Sequence, residues 1–142
     1  MVIKPLIKNY LIYQGTTFML DFDWGIAEYP LDANCKAAMQ IRKDIKAEDV
    51  ICEATTENGK IIISLIENRI KIKIPASETS LFDFDKAVYD IEIEFPNHDR
   101  FRIVQGQLSL SLEVTRTSTD LTDSLLNCVK TSDIITLESN NW

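Results

Sequence analysis

Few residues in this chain have types and spacings that could do chemistry. His98 is the one histidine in 142 residues, and Asp99 beside it is the residue type that orients a general base. A catalytic dyad needs its base held by packing and aimed at a nucleophile. Both residues fall in Pro96-Asn97-His98-Asp99, whose composition is that of a turn, so neither is expected to be catalytic. Asp21 and Asp23 alternate with apolar residues and share one face of a strand, as do Asp83 and Asp85 if that stretch is extended. Paired carboxylates can anchor Ca²⁺, which takes roughly six to eight oxygen ligands. The spaced acid-x-acid-x-acid-Gly loop is missing, so a solvated acidic face without metal is the expectation. Lys71 and Lys73 read as charges that protect an edge strand from aggregation.

Three cysteines, Cys35, Cys52 and Cys128, make an odd number with no C-x-x-C pairing. That spacing is neither a disulfide framework nor a zinc site. Cys35 and Cys52 share the parity of apolar neighbours and are read as small buried hydrophobes. No G-x-S-x-G, P-loop, H-E-x-x-H or dinucleotide fingerprint occurs. Aromatic residues could build a sugar platform, with Trp24, Tyr10, Tyr13 and Tyr29 as candidates. Trp24 continues a core face, which leaves Tyr29, in the loop before Pro30, as the aromatic expected to be exposed for ligand contact. The chain is therefore read as a non-enzyme without a cofactor.

The elements that must position these residues are almost all strands. Tyr89, Ile91, Ile93 and Phe95 alternate with Asp90, Glu92 and Glu94, the period-two pattern of a half-buried strand. Beyond the turn, Phe101 and Ile103 lie on one parity and Leu108, Leu110, Leu112 and Val114 on the other. The change is placed at Gly106, where a bend is cheapest. Phe18, Leu20, Phe22 and Trp24 form a further alternating set, as do Cys35, Ala37, Met39 and Ile41, and Ile70, Ile72 and Ile74. Asn58-Gly59 supplies positive φ angles for a two-residue turn, predicting a hairpin between the strands on either side. Residues 61–66, apolar on both parities, predict a strand covered on both faces or at a subunit contact. Ser77 is expected to cap one helical turn, within residues 77–84, that crosses between sheets.

About seven to nine short strands with regular turn signals describe an all-β fold, an immunoglobulin-like antiparallel β-sandwich. Residues 1–13 read as an N-terminal arm or edge strand, 14–116 as the sandwich and 117–142 as an extension. In the extension a short helix would carry Leu121, Leu125 and Val129, followed by one short strand. Asp85-x-Ala87-x-Tyr89-x-Ile91 resembles the start of strand F in immunoglobulin variable domains. That resemblance implies a structural corner at Asp85 and Tyr89, with the tyrosine hydroxyl bonded back to the preceding backbone.

A net charge of −7 and a pI near 4.7 argue against a nucleic-acid partner, because phosphate binding rests on Lys and Arg. No apolar run approaches the roughly 18 residues of a membrane helix, so no membrane insertion is expected. The first residues lack the features of a signal peptide, which places synthesis in the cytosol.

The wording of the chain also carries a resemblance. Gln14-Gly15-Thr16-Thr17-Phe18, Pro30-Leu31-Asp32, Ala38-Met39-Gln40-Ile41-Arg42, Tyr89-Asp90-Ile91-Glu92-Ile93 and Val104-x-Gly106-x-Leu108-x-Leu110-x-x-Glu113-Val114-Thr115-Arg116 follow one another in that order. This set resembles small β-sandwich proteins of tailed bacteriophages, found in tail tips and baseplates and including the N-terminal module of some baseplate upper proteins. The chain departs from the pattern in having little Gly-rich connector after Leu31-Asp32-Ala33 and in its C-terminal extension. The resemblance implies a non-enzymatic virion part, made in the host cytoplasm and then carried in the tail. Its implied partners are other phage tail proteins and copies of itself. Stable interfaces need buried apolar anchors. The expected ones are Ile3, Leu6, Ile7 and Tyr10 near the start, Ile62 and Ile66 in the middle, and Leu121, Leu125, Val129 and Trp142 in the extension. Two rival readings are a carbohydrate or host-surface binding module and a small inhibitor of a host protein.

Overall fold

A computed structural model describes residues 3–115 and the strand at 132–136. Leu121, Leu125, Val129 and Trp142, the expected C-terminal helix and Cys128 lie outside the described residues. Two sheets face each other. The first runs β1 (Leu6–Ile7) and β2 (Tyr10–Tyr13), then β9 (Arg100–Ser111), β8 (Lys86–Glu94), β4 (Lys36–Arg42) and β5 (Cys52–Thr55). The second runs β10 (Ser132–Thr136), β3 (Phe18–Asp23), β7 (Arg69–Ile74) and β6 (Ile61–Ser64). A single turn, α1 (Ala76–Thr79), carries the chain from β7 in the second sheet to β8 in the first. This arrangement is an immunoglobulin-like sandwich: β3, β7 and β6 occupy the B, E and D places, and β4, β8 and β9 the C, F and G places, with β5 extending the second group. Pairing is antiparallel except for β1 and β2 on β9 and for β10 on β3, which are parallel.

The core lies between the sheets and follows the period-two alternation. Phe18, Leu20 and Phe22 from β3 and Ile70, Ile72 and Ile74 from β7 face Ala37, Met39 and Ile41 from β4 and Ala87, Tyr89, Ile91 and Ile93 from β8, all buried. Cys35 and Cys52 are buried with them, as their parity indicated. β-branched residues suit this pleated, densely packed setting.

Several local expectations are corrected. The parity change in β9 sits at Ile103 and Val104, both fully buried, where the register with β8 shifts between Ile91 and Glu92. That is a β-bulge, which adds one residue to one strand. Gly106 has a different use. A Cβ there would overlap the carbonyl oxygen of Lys8, because the short break between β1 and β2 presses against β9 at this point. The Tyr89 hydroxyl donates to the same Lys8 carbonyl at 2.7 Å. The tyrosine therefore ties the N-terminal segment to β8, not the preceding corner, and burial pushes its phenol well above the usual value. At Asp85 it is the main-chain carbonyl that engages, accepting from the Leu110 N–H at 3.1 Å.

Asn58-Gly59 does not close a hairpin. Gly59 has a φ of 81°, but β5 and β6 belong to different sheets and the turn is a crossing between them. Asn58 shapes it by accepting from the N–H groups of Thr55 and Lys60 at 2.9 and 3.0 Å. The hairpin lies one connection later, β6 with β7, where Asn68 takes a φ of 58°. Ser77 is not the cap of α1. Pro75 holds that place without a side-chain bond, and Ser77 lies inside the turn.

Replacing Gly106 by Ala forces the Lys8 carbonyl away from Tyr89 and is expected to cost about 1–3 kcal/mol, the usual range for overpacking. Tyr89→Phe, which only removes the hydroxyl, is expected to cost about 1–2 kcal/mol. Urea unfolding of the two variants checks both values.

Candidate functional site

His98 stands at the tip of the β8–β9 turn with a φ of 73°, and its Nδ1 lies 3.6 Å from Glu94. Its sequence neighbour Asp99 is turned elsewhere: one carboxylate oxygen accepts from the Tyr29 hydroxyl at 2.8 Å and from Asn97 Nδ2 at 3.0 Å. Glu94 is held by Arg100 at 2.6 Å, and that guanidinium keeps its carboxyl below the usual carboxylate range. The turn is a set of local ion pairs and hydrogen bonds with the histidine at its exposed end.

Asp21 and Asp23 do share a face, but they are not simply solvated. Arg69 on the adjacent strand β7 reaches both, at 3.2 and 3.0 Å. The register places Asp21 opposite Lys71 and Asp23 opposite Arg69, so the acidic stripe of β3 meets the basic stripe of β7. Lys71 also binds Glu67 at 2.8 Å. Cross-strand charge pairs of this kind support a sheet modestly. Asp83 and Asp85 are exposed, and among the described residues no group of three His, Cys, Asp or Glu side chains is arranged to hold a metal ion.

Tyr29 is not the exposed ligand contact expected of it. Its ring is partly buried, packed edge-on against Phe101 with centroids 4.7 Å apart and tilted against Phe95 at 5.1 Å. Trp24 completes the cluster by donating its indole N–H to the Tyr29 carbonyl at 2.7 Å. These residues plug one end of the sandwich. The Asp99 contact raises the Tyr29 hydroxyl above its ordinary pKa, chiefly by hydrogen bonding.

Near β2 and the end of β9 a polar node joins Gln14-Gly15 to Glu113. Gln14 donates from Nε2 to the Phe82 carbonyl at 2.9 Å, and its Oε1 accepts from the Glu113 N–H at 2.9 Å. The Gln14 N–H donates to the Ser111 carbonyl at 2.9 Å. Gly15, with a φ of 80°, lies so close beneath the Glu113 carboxylate that any Cβ would overlap it. Buried Thr79 donates to the Thr16 carbonyl at 2.6 Å. One amide thus links the N-terminal segment, the end of β9 and the α1 crossover. Cys52 belongs to another fixed cluster, with its Sγ 3.6 Å from Glu78, which in turn pairs with Lys60 at 2.6 Å. Burial, followed by the Glu78 charge, pushes this thiol up to about 11, which leaves it a poor nucleophile near neutral pH.

The expected interface residues separate into two groups. Leu6 is buried in this chain's own core, Tyr10 packs between Phe18 and Tyr89, and Ile3 leans on the core. Leu6 and Tyr10 are turned inward because β1 and β2 pair with β9. Ile7, Ile62 and Ile66 face outward, at 71%, 59% and 99% exposure. Sequence reading passed over Ile45, 85% exposed, although an isoleucine within the polar stretch at residues 43–49 was a visible signal. Ile7 and Ile45 help line a shallow depression of about 840 Å³ on the outer face of the first sheet. Ala38 and Val88 are among its lining residues, with Arg102 and Asp90, 3.5 Å apart, beside them. Arg42, another lining residue, is bonded to the carbonyls of Ala47 and Glu48.

No protein-family model matches the chain, and no curated protein matches it. Among solved structures it is similar to a chain described as Drosophila OTK, extracellular domains 3–5. Identity is 13% and the TM-score 0.33, over 77% of this chain and 34% of that one. The chain thus spans about a third of that structure. The fold assignment rests on the strand order and register.

Replacing Gln14 by Leu leaves the Glu113 N–H and the Phe82 carbonyl without their partner, and a loss of about 1–3 kcal/mol is expected in urea unfolding. A pH dependence is also expected. Because Glu94 and Glu67 are held below the usual value of 4.5, their contribution is complete above that value and is lost as pH falls through the folded-state values. Arg100→Gln should therefore flatten the acid limb of a plot of thermal midpoint against pH.

Proposed function

We propose that the chain is a non-enzymatic assembly module of the tailed-phage kind, working through protein interfaces within a tail tip or baseplate. One observation carries this reading: most of the groups that could do chemistry are held in local structural contacts, while isoleucines stand bare on the surface. Arg69 takes Asp21 and Asp23, Tyr29 takes Asp99, and Lys60 takes Glu78. Ile7, Ile45, Ile62 and Ile66 remain exposed, and apolar anchors are what a protein interface buries. The phage setting rests on the ordered motifs from Gln14 to Arg116. Gln14, Gly15 and Glu113 of that set meet in one node, which gives those positions a shared structural reason. In this reading the protein is made in the host cytoplasm, needs no cofactor, and joins other tail proteins and copies of itself in the virion. A carbohydrate platform has less support, because Trp24, Tyr29, Phe95 and Phe101 stack on one another at one end of the core.

The test is light scattering of the full chain mixed with purified tail-tip components of a virion that contains it. A complex heavier than either component is expected, with affinity reduced at least about tenfold by Ile7→Asp together with Ile66→Asp. A chain that stays separate from every tail component contradicts the proposal.

A further inference from the structure

The geometry points to β6 as a strand-addition edge for a second copy of this chain, paired antiparallel about a two-fold axis at Ile62; this rests on the assembly reading and gives it one specific contact. β6 ends the second sheet, and among the described residues no strand pairs with its outer side. The Lys73 N–H donates to the Lys60 carbonyl at 2.8 Å, which sets the phase of the β6–β7 ladder. Ile62 and Ser64 then exchange bonds with Lys71 and Arg69, while Ile61 and Ile63 turn N–H and C=O outward.

Exposed edges are normally protected by charge, proline or a bulge. β5 has Glu53 at its centre, and the segment of β1 and β2 carries Lys4, Pro5 and Lys8. Residues 61–66, Ile-Ile-Ile-Ser-Leu-Ile, have none of these.

The edge is also complementary to itself. About a two-fold axis at Ile62, Ile61 of each copy falls opposite Ile63 of the other. About four backbone hydrogen bonds form between groups that already point outward. Ile62 then faces its own copy as a non-hydrogen-bonded pair, the arrangement in which side chains approach most closely. Its outward face is 59% exposed, so this contact buries surface that the single chain leaves wet. Lys60 falls opposite Ser64 of the second copy, so the two lysines do not meet, and its own charge is already matched by Glu78. Farther along the same register, the exposed Leu65 and Ile66 come alongside the Asn58-Gly59 loop of the other copy, where the space beside Gly59 is open. An isologous contact of this kind closes on itself and makes a dimer.

Sedimentation of the full chain from about 1 µM to about 500 µM tests this, since so small a contact is expected to be weak. The wild-type mass should rise from 16.2 kDa towards twice that value, Ile62→Lys should stay monomeric with an unchanged thermal midpoint, and Ile7→Lys should still dimerise. Independently, oxidised Ile62→Cys should give a 62-to-62 disulfide, mapped by peptide mass spectrometry. A wild-type chain monomeric throughout, or a dimer that survives Ile62→Lys without that disulfide, overturns the inference. In either case, a chain that still binds tail components leaves the assembly reading standing. Association with an unrelated strand-donating peptide but not with itself likewise overturns the choice of a second copy.

Discussion

The carbonyl of Lys8 is the point on which the first sheet depends. It rests against Gly106 and accepts from the Tyr89 hydroxyl at 2.7 Å. On either side of it, β1 and β2 run parallel to β9 with one constant register. Asn9 adds a side-chain bond from the Gln107 N–H at 2.9 Å. The bulky phenol, the missing Cβ and the inward carbonyl form one unit, and each has a purpose only if the other two are present. Its consequence is that β9 is not an edge. The N-terminal segment covers it, and Leu6 and Ile12 complete the core at that border.

Period-two alternation made much of the sandwich readable, because strands buried on one face repeat every second residue. Ile70, Ile72 and Ile74 opposite Phe22, Leu20 and Phe18 are the clearest instance. The failures share a cause: each turned on a partner far away in sequence. Ile103 and Val104 are adjacent apolar residues that either parity could claim, and only the register with Ile91 shows that both are inside. Asn58-Gly59 is a sound turn signal, yet the sheet that each flanking strand joins is decided by the core. Tyr29 reads as a loop aromatic until Phe95 and Phe101 arrive from the other side of the chain. Asp21 and Asp23 looked solvated for want of Arg69. Tyr89 was recognised as a structural tyrosine by its immunoglobulin-like setting, but the acceptor of its hydroxyl lies 81 positions away.

The same physics separates interior from surface. Leu6 and Tyr10 resemble Ile7 in sequence, and pairing with β9 sends them inward and Ile7 outward. Polar side chains mostly serve the fold, at the Gln14 node, in the Arg69 fork and around Cys52. A fold stabilised in this way holds its surface isoleucines in fixed places, as the proposed assembly contact requires. One border of the first sheet is sealed by the N-terminal segment, and among the described residues the border of the second sheet at β6 is left open and uncharged.

Residue-resolved amide hydrogen exchange on the full chain, dilute and concentrated, tests this contrast between a sealed border and an open one most directly. The Gln107 amide, bonded to Asn9, and the Ile62 amide, facing β7, should be slow at both concentrations. The Ile61 and Ile63 amides should be fast in dilute solution and become slow as concentration rises. Ile61 and Ile63 amides that exchange at one rate at every concentration, or a Gln107 amide as fast as theirs, would contradict it.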